Sequence, residues 1–131
     1  GPKGMALNWK SAALTRLVKA IGKEPVEVNE APGFVVNKIL VPMINEACDL
    51  VYTGVASVEG VDIAMKLGAN HPMGPLALGD LIGLDVCLAV MDTLYNESHD
   101  SKYRASLLMR KMVRAGKLGR KTGSGFYDYT K

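Results

Sequence analysis

An asparagine stands inside an apolar run. In PGFVVNKILVPMINEACDLV, residues 32–51, Asn37 shares a helical register with Ile44 and Cys48, while Phe34 and Val41 flank the same stripe. Lys38, Asn45, Glu46 and Asp49 fall on another face. An amide turned toward a core needs hydrogen-bond partners, or its burial costs roughly 1–3 kcal/mol. Two readings are open at this point. Asn37 is either a core residue satisfied by a neighbouring backbone group, such as a carbonyl freed by Pro42, or it lines a site and turns its amide to a ligand.

The other chemical candidates are thinner. His71, in NHPMGP, is of the residue type for acid–base work. No Ser, Cys or carboxylate accompanies it at a telling spacing, and a histidine between Asn and Pro reads as a turn residue. Cys48 and Cys87 are isolated in apolar patterns, and His71 and His99 stand alone, so no metal site has anything to build on. Two buried free thiols in a reducing cytoplasm are expected.

The tail GRKTGSGFYDY suggests phosphate binding at first sight. It is not a P-loop, because no glycine run leads into Lys-Ser/Thr and a helix. Nor is it a dinucleotide fingerprint, since Gly123 and Gly125 follow no strand and precede no helix. A flexible closing loop whose Phe126 and Tyr127 dock on the core explains it equally well. Residues 101–127 hold eight basic residues (Lys102, Arg104, Arg110, Lys111, Arg114, Lys117, Arg120, Lys121) and no acid. That run suits a phosphate, of a cofactor or of nucleic acid, or it is a solvated helix face.

Helices must position these residues. Apolar periodicity predicts a helix over residues 7–21 stopped by Gly22, then a short strand over 24–28 and the turn NEAPG. One strand makes no sheet, so its partners are expected in a part of the protein missing here. A long helix follows over 34–52, kinked at Pro42 and closed by Gly54. Ser57 caps a second helix with Val58, Val61, Ala64 and Met65 apolar. A third helical region starts after the turn ANHPMGP, and Gly79 and Gly83 invite a break or very close packing. The last helix is expected over 103–115, with Leu107, Leu108, Met112 and Val113 inward.

The chain has 131 residues, 48% of them hydrophobic and 22% charged, with a net charge of +3. Those values suit one soluble domain with a real core. Charges interrupt every long apolar run, which argues against a membrane span, and the N-terminus lacks a signal-peptide pattern. Residues 1–5 read as a vector remnant.

Three motifs, in their order and spacing, carry a resemblance: APGFVVNKILVPMINEA, SVEGVDIAMKLGANHPMGPLALGDLIGLDV and KLGRKTGSGFYDY. Together they closely resemble the C-terminal domain of NAD-dependent 3-hydroxyacyl-CoA dehydrogenases, nearest to the bacterial branch acting on 3-hydroxybutyryl-CoA. The likeness runs from about residue 6 to residue 131. It implies an all-α fold over residues 32–131, the helical dimerisation domain of the 6-phosphogluconate dehydrogenase C-terminal-like type. Residues 6–31 would be the last helix and strand of a missing Rossmann domain.

By the same resemblance, NAD is held mainly by that absent domain, acyl-CoA binds between the two, and the protein is a homodimer. No nucleic acid or membrane partner is implied, and the location is the cytoplasm. Asn37 matches the asparagine of the family's PGF-[IV]-V-N-[RK] motif, which hydrogen-bonds the reacting end of the acyl group as a catalytic residue. Lys121 matches a lysine that reaches the cofactor. The family's His–Glu dyad and serine belong to the Rossmann domain, so this chain alone is expected to be inactive. Three alternatives stand beside this reading: a non-catalytic helical oligomerisation module, a related hydroxy-acid or sugar-acid dehydrogenase, and a basic nucleic-acid binder using Arg110, Arg114 and Lys117.

Overall fold

The computed structural model describes residues 32–131. The helix expected over residues 7–21 and the strand over 24–28 lie outside the described residues. Five α-helices make up the domain: α1 (Pro32–Tyr52), α2 (Val58–Gly68), α3 (Pro75–Ile82), α4 (Leu84–Ser98) and α5 (Leu107–Arg114). Two 3-10 turns, Ser101–Tyr103 and Arg120–Thr122, flank α5. No β-sheet forms among the described residues; the tail makes only isolated bridges, Gly119 with Ser124 and Ser124 with Asp128.

Helix α1 is the axis, and each of the other four helices packs against it. Its seam is Val41, Ile44 and Cys48, all fully buried, at the three-and-four spacing of one helix face. Leu76 of α3, Leu84, Cys87 and Met91 of α4 and Met109 of α5 close around that seam. Gly79 lets α3 approach closely, because a Cβ there would lie 3.1 Å from both Ile44 Cγ2 and Leu84 Cδ2.

The third helical region breaks at Gly83, whose φ of +106° few L side chains tolerate. Its N–H closes α3 on the Gly79 carbonyl at 2.8 Å, and its carbonyl accepts from Cys87 N–H at 3.1 Å to open α4. Ser57 caps α2 as expected, its hydroxyl accepting from Gly60 N–H at 3.0 Å.

Four expectations need correction. Asn45 is not on the polar face but buried, with Oδ1 accepting from Ser106 N–H at 2.7 Å and Nδ2 donating to the Arg104 carbonyl at 3.1 Å. The tertiary contact overrides the helical wheel, since both partners lie about 60 residues away. The last helix starts later than residue 103, because Ser106 caps α5 by accepting from Leu108 N–H. Its inward residue is Met109, while Leu107 is 56% exposed. On α2, Ala64 is exposed and it is Asp62 that joins Val61 in the interior.

Candidate functional site

Asn37 lies near the start of α1 and is buried, yet its Oδ1 finds no hydrogen-bond donor among the described residues. Asn45, two turns further along the same helix, has both ends of its amide bonded. A buried carbonyl oxygen without a donor loses roughly 1–3 kcal/mol relative to water, so an arriving hydroxyl or amide group gains by bonding there.

Lys121 sits on the closing turn Arg120–Thr122, which packs against α3. Its ammonium lies 2.6 Å from Asp85 Oδ1, in the first turn of α4. The contact is an ion pair whose angles miss those of a hydrogen bond, so the ammonium keeps its N–H donors for an anionic or carbonyl group. The side chain is 46% exposed, so such a group has access. Asn37 and Lys121 thus belong to different elements, one at the start of the central helix and one on the tail.

The tail docks on the core through Phe126 and Tyr127, as the closing-loop reading expects, and buried carboxylates that the sequence did not single out anchor it. Asp80 of α3 is 1% exposed, and its carboxylate accepts from Phe126 N–H at 2.9 Å, Tyr127 N–H at 3.0 Å and Tyr129 O–H at 2.8 Å. Asp62 of α2 does two jobs. It caps α3 from outside by accepting from Leu76 N–H at 2.7 Å and Ala77 N–H at 3.0 Å, and it accepts from Tyr127 O–H at 2.7 Å. Asp80 also explains two of the tail glycines. A Cβ at Gly125 would collide with Asp80 Oδ1, and one at Gly119 with the Asp80 backbone. They allow close approach of chain to chain, not of chain to phosphate.

Burial, and then the carboxylate to which each donates, push both phenols above their ordinary range. A phenol kept neutral by the fold stabilises it fully below the unfolded value near 10, and that contribution is lost as pH rises beyond it. Urea unfolding between about pH 9 and 11 is therefore expected to show falling stability, with a shallower fall in the Tyr127→Phe/Tyr129→Phe variant. Equal slopes in the two proteins would refute this account of the latch.

The remaining candidates resolve into structural roles. The backbone N–H of His71 bonds the Met65 carbonyl at 3.2 Å, beyond the end of α2. Burial and the nearby Asp80 carboxylate push the Cys48 thiol up to about 12, and burial raises Cys87 as well, so neither is a nucleophile. Much of the basic run has partners: Arg110 pairs with Asp92, Lys102 with Asp100, and Arg120 lies 5.4 Å from the Tyr129 ring centre. With Arg110 tied to Asp92, the face proposed for nucleic acid loses one of its three cations. Among the described residues, no group of three His, Cys, Asp or Glu side chains is placed to hold a metal, and no helix is long and apolar enough to cross a membrane.

The described residues form an all-helical domain around one axis, with one buried amide oxygen that lacks a donor and a lysine paired with a carboxylate. Comparison with known proteins gives the family. Residues 33–129 match the profile of the 3-hydroxyacyl-CoA dehydrogenase C-terminal domain. The chain is 68% identical over 115 residues to a 3-hydroxybutyryl-CoA dehydrogenase of Clostridioides difficile, covering 88% of this chain and 41% of that protein. Against a probable 3-hydroxybutyryl-CoA dehydrogenase of Bacillus subtilis it is 56% identical, over 97% of this chain and 45% of the relative. The crystal structure of (S)-3-hydroxybutyryl-CoA dehydrogenase PaaH1 from Ralstonia eutropha superposes with a TM-score of 0.77 at 60% identity, over 92% of this chain and 42% of that one. The chain belongs to the 3-hydroxyacyl-CoA dehydrogenases, as their C-terminal domain. It spans less than half the length of these relatives.

The sequence pattern missed Asp62, Asp80 and Asp85. A signal for Asp80 was present in the tail, where spaced glycines and aromatic residues require some acceptor to fold around.

Proposed function

We propose that this chain is the substrate-cleft and dimer-forming part of an NAD-dependent (S)-3-hydroxyacyl-CoA dehydrogenase acting on 3-hydroxybutyryl-CoA, in fatty-acid or butanoate metabolism. The buried Oδ1 of Asn37, which has no donor among the described residues, carries the reading. It stands in the PGFVVNK motif where the family resemblance puts the residue that meets the acyl group. An amide suits both sides of the reaction. Its oxygen accepts from a 3-hydroxyl group, and its NH2, after rotation, donates to the 3-keto oxygen as negative charge develops there. It never titrates, so its function is independent of pH. NAD, when bound, supplies the hydride acceptor. Lys121 is the cofactor contact that this chain offers, and the base belongs to the Rossmann domain.

The dimer is part of the proposal. Helix α1 is apolar on more than one face, and Val35 and Ile39 remain 40% and 66% exposed on it. Ile63 and Leu67 add a second exposed pair one turn apart on α2, at 54% and 81%. Apolar faces on two helices suit a twofold interface that resembles a core cut in two. Sedimentation at micromolar concentration tests it, and a clean monomer would overturn it. Two buried free thiols suit a reducing compartment, and we assign the enzyme to the cytoplasm.

The full-length protein is expected to reduce acetoacetyl-CoA with NADH, and the chain alone to give no turnover and no useful NAD affinity. Turnover by contaminant-free chain would overturn the division of labour. Failure of the full-length protein to reduce any 3-ketoacyl-CoA would overturn the function itself.

A further inference from the structure

We propose that Asp85 is a positioning residue for the cofactor: its carboxylate holds the Lys121 ammonium in the one orientation from which it meets a bound dinucleotide. The proposal rests on the assignment of Lys121 to the cofactor. Three observations carry it. The pair is close, 2.6 Å from Lys121 Nζ to Asp85 Oδ1. Gly83 makes room for it, since a Cβ there would lie 2.8 Å from Lys121 Nζ and 2.9 Å from Asp85 Oδ1. The backbone under the lysine is fixed independently, with Leu84 N–H bonded to the Leu118 carbonyl at 2.8 Å and Thr122 Oγ1 accepting from Leu118 N–H at 3.1 Å.

Stability does not explain the pair. Its side chains are 46% and 40% exposed, and exposed ion pairs add little to folding. What the pair does is remove rotamers from a four-carbon side chain before a ligand arrives, which lowers the entropy lost on binding. Charge alone predicts the opposite sign. An acid beside an anionic dinucleotide repels it, so deleting that acid would tighten binding if Asp85 had no positioning role.

The test is NADH binding to the full-length enzyme, read by fluorescence titration, with melting temperature recorded alongside. Asp85→Asn is expected to raise Kd about tenfold by releasing the lysine, while the melting temperature stays within about 2 °C. Lys121→Met should raise Kd at least as much, and adding Asp85→Asn to it should change nothing further. Unchanged or tighter binding by Asp85→Asn, with Lys121→Met weakened, would overturn the positioning role and leave the lysine's role standing. Additive losses in the double variant would also overturn it. Normal binding by Lys121→Met would remove the assignment of Lys121, and the present proposal with it.

Discussion

In the full-length enzyme, Asn37→Ala is expected to lower kcat about a hundredfold, close to 3 kcal/mol, and to raise KM by much less. The expectation follows from when the amide acts. A group that bonds substrate and transition state equally raises KM when it is lost, whereas one aimed at charge that develops on the 3-oxygen lowers kcat. The fold should survive, because Asn37 Oδ1 has no protein donor among the described residues to leave stranded. A variant with normal kcat and a lowered melting temperature would return Asn37 to the core and remove the observation on which the function rests.

Asp80→Ala is expected to produce the largest loss of stability of any change considered, about 4 kcal/mol. Two backbone N–H groups and the Tyr129 hydroxyl lose their acceptor together. Each buried donor left unpaired costs roughly 1–3 kcal/mol, and the sum is reduced because the tail can swing out to water. For a domain of this size that is a fall in melting temperature of more than about 15 °C. The release is local before it is global, so trypsin should cut after Arg120 or Lys121 in the variant and not in the parent. A variant that melts normally and resists trypsin would mean that the tail is held by packing of Phe126 and its neighbours alone.

Helix content and most boundaries were legible because they depend on neighbours in sequence. Ser57 and Gly83 are read from local chemistry, and the stripe of Val41, Ile44 and Cys48 from period alone. The misplacements share a different cause. Asn45, Asp62 and Asp80 look like surface residues by type, and each is buried because donors 14 to 65 residues away satisfy it. No window of a helix reports such a partner. Asn37 was legible as an anomaly, and the resemblance supplied its chemistry, but only the structure showed that its oxygen lacks a donor among the described residues. Lys121 came from the resemblance, and its tie to Asp85 from the structure.

The tail latch also bears on how the domain is made. Asp62 and Asp80 precede their donors in the tail by 65 and by 46 to 49 residues. During synthesis Asp62 meets the Leu76 and Ala77 N–H groups soon after it emerges, whereas the donors to Asp80 lie in the tail. Until residues 126–129 follow, α3 must keep Asp80 in water and cannot settle into its final packing. Contacts of such long sequence separation form late. The nascent domain thus carries a temporary charge at Asp80 beside its apolar surface, which keeps that surface hydrated and discourages association with other unfinished chains.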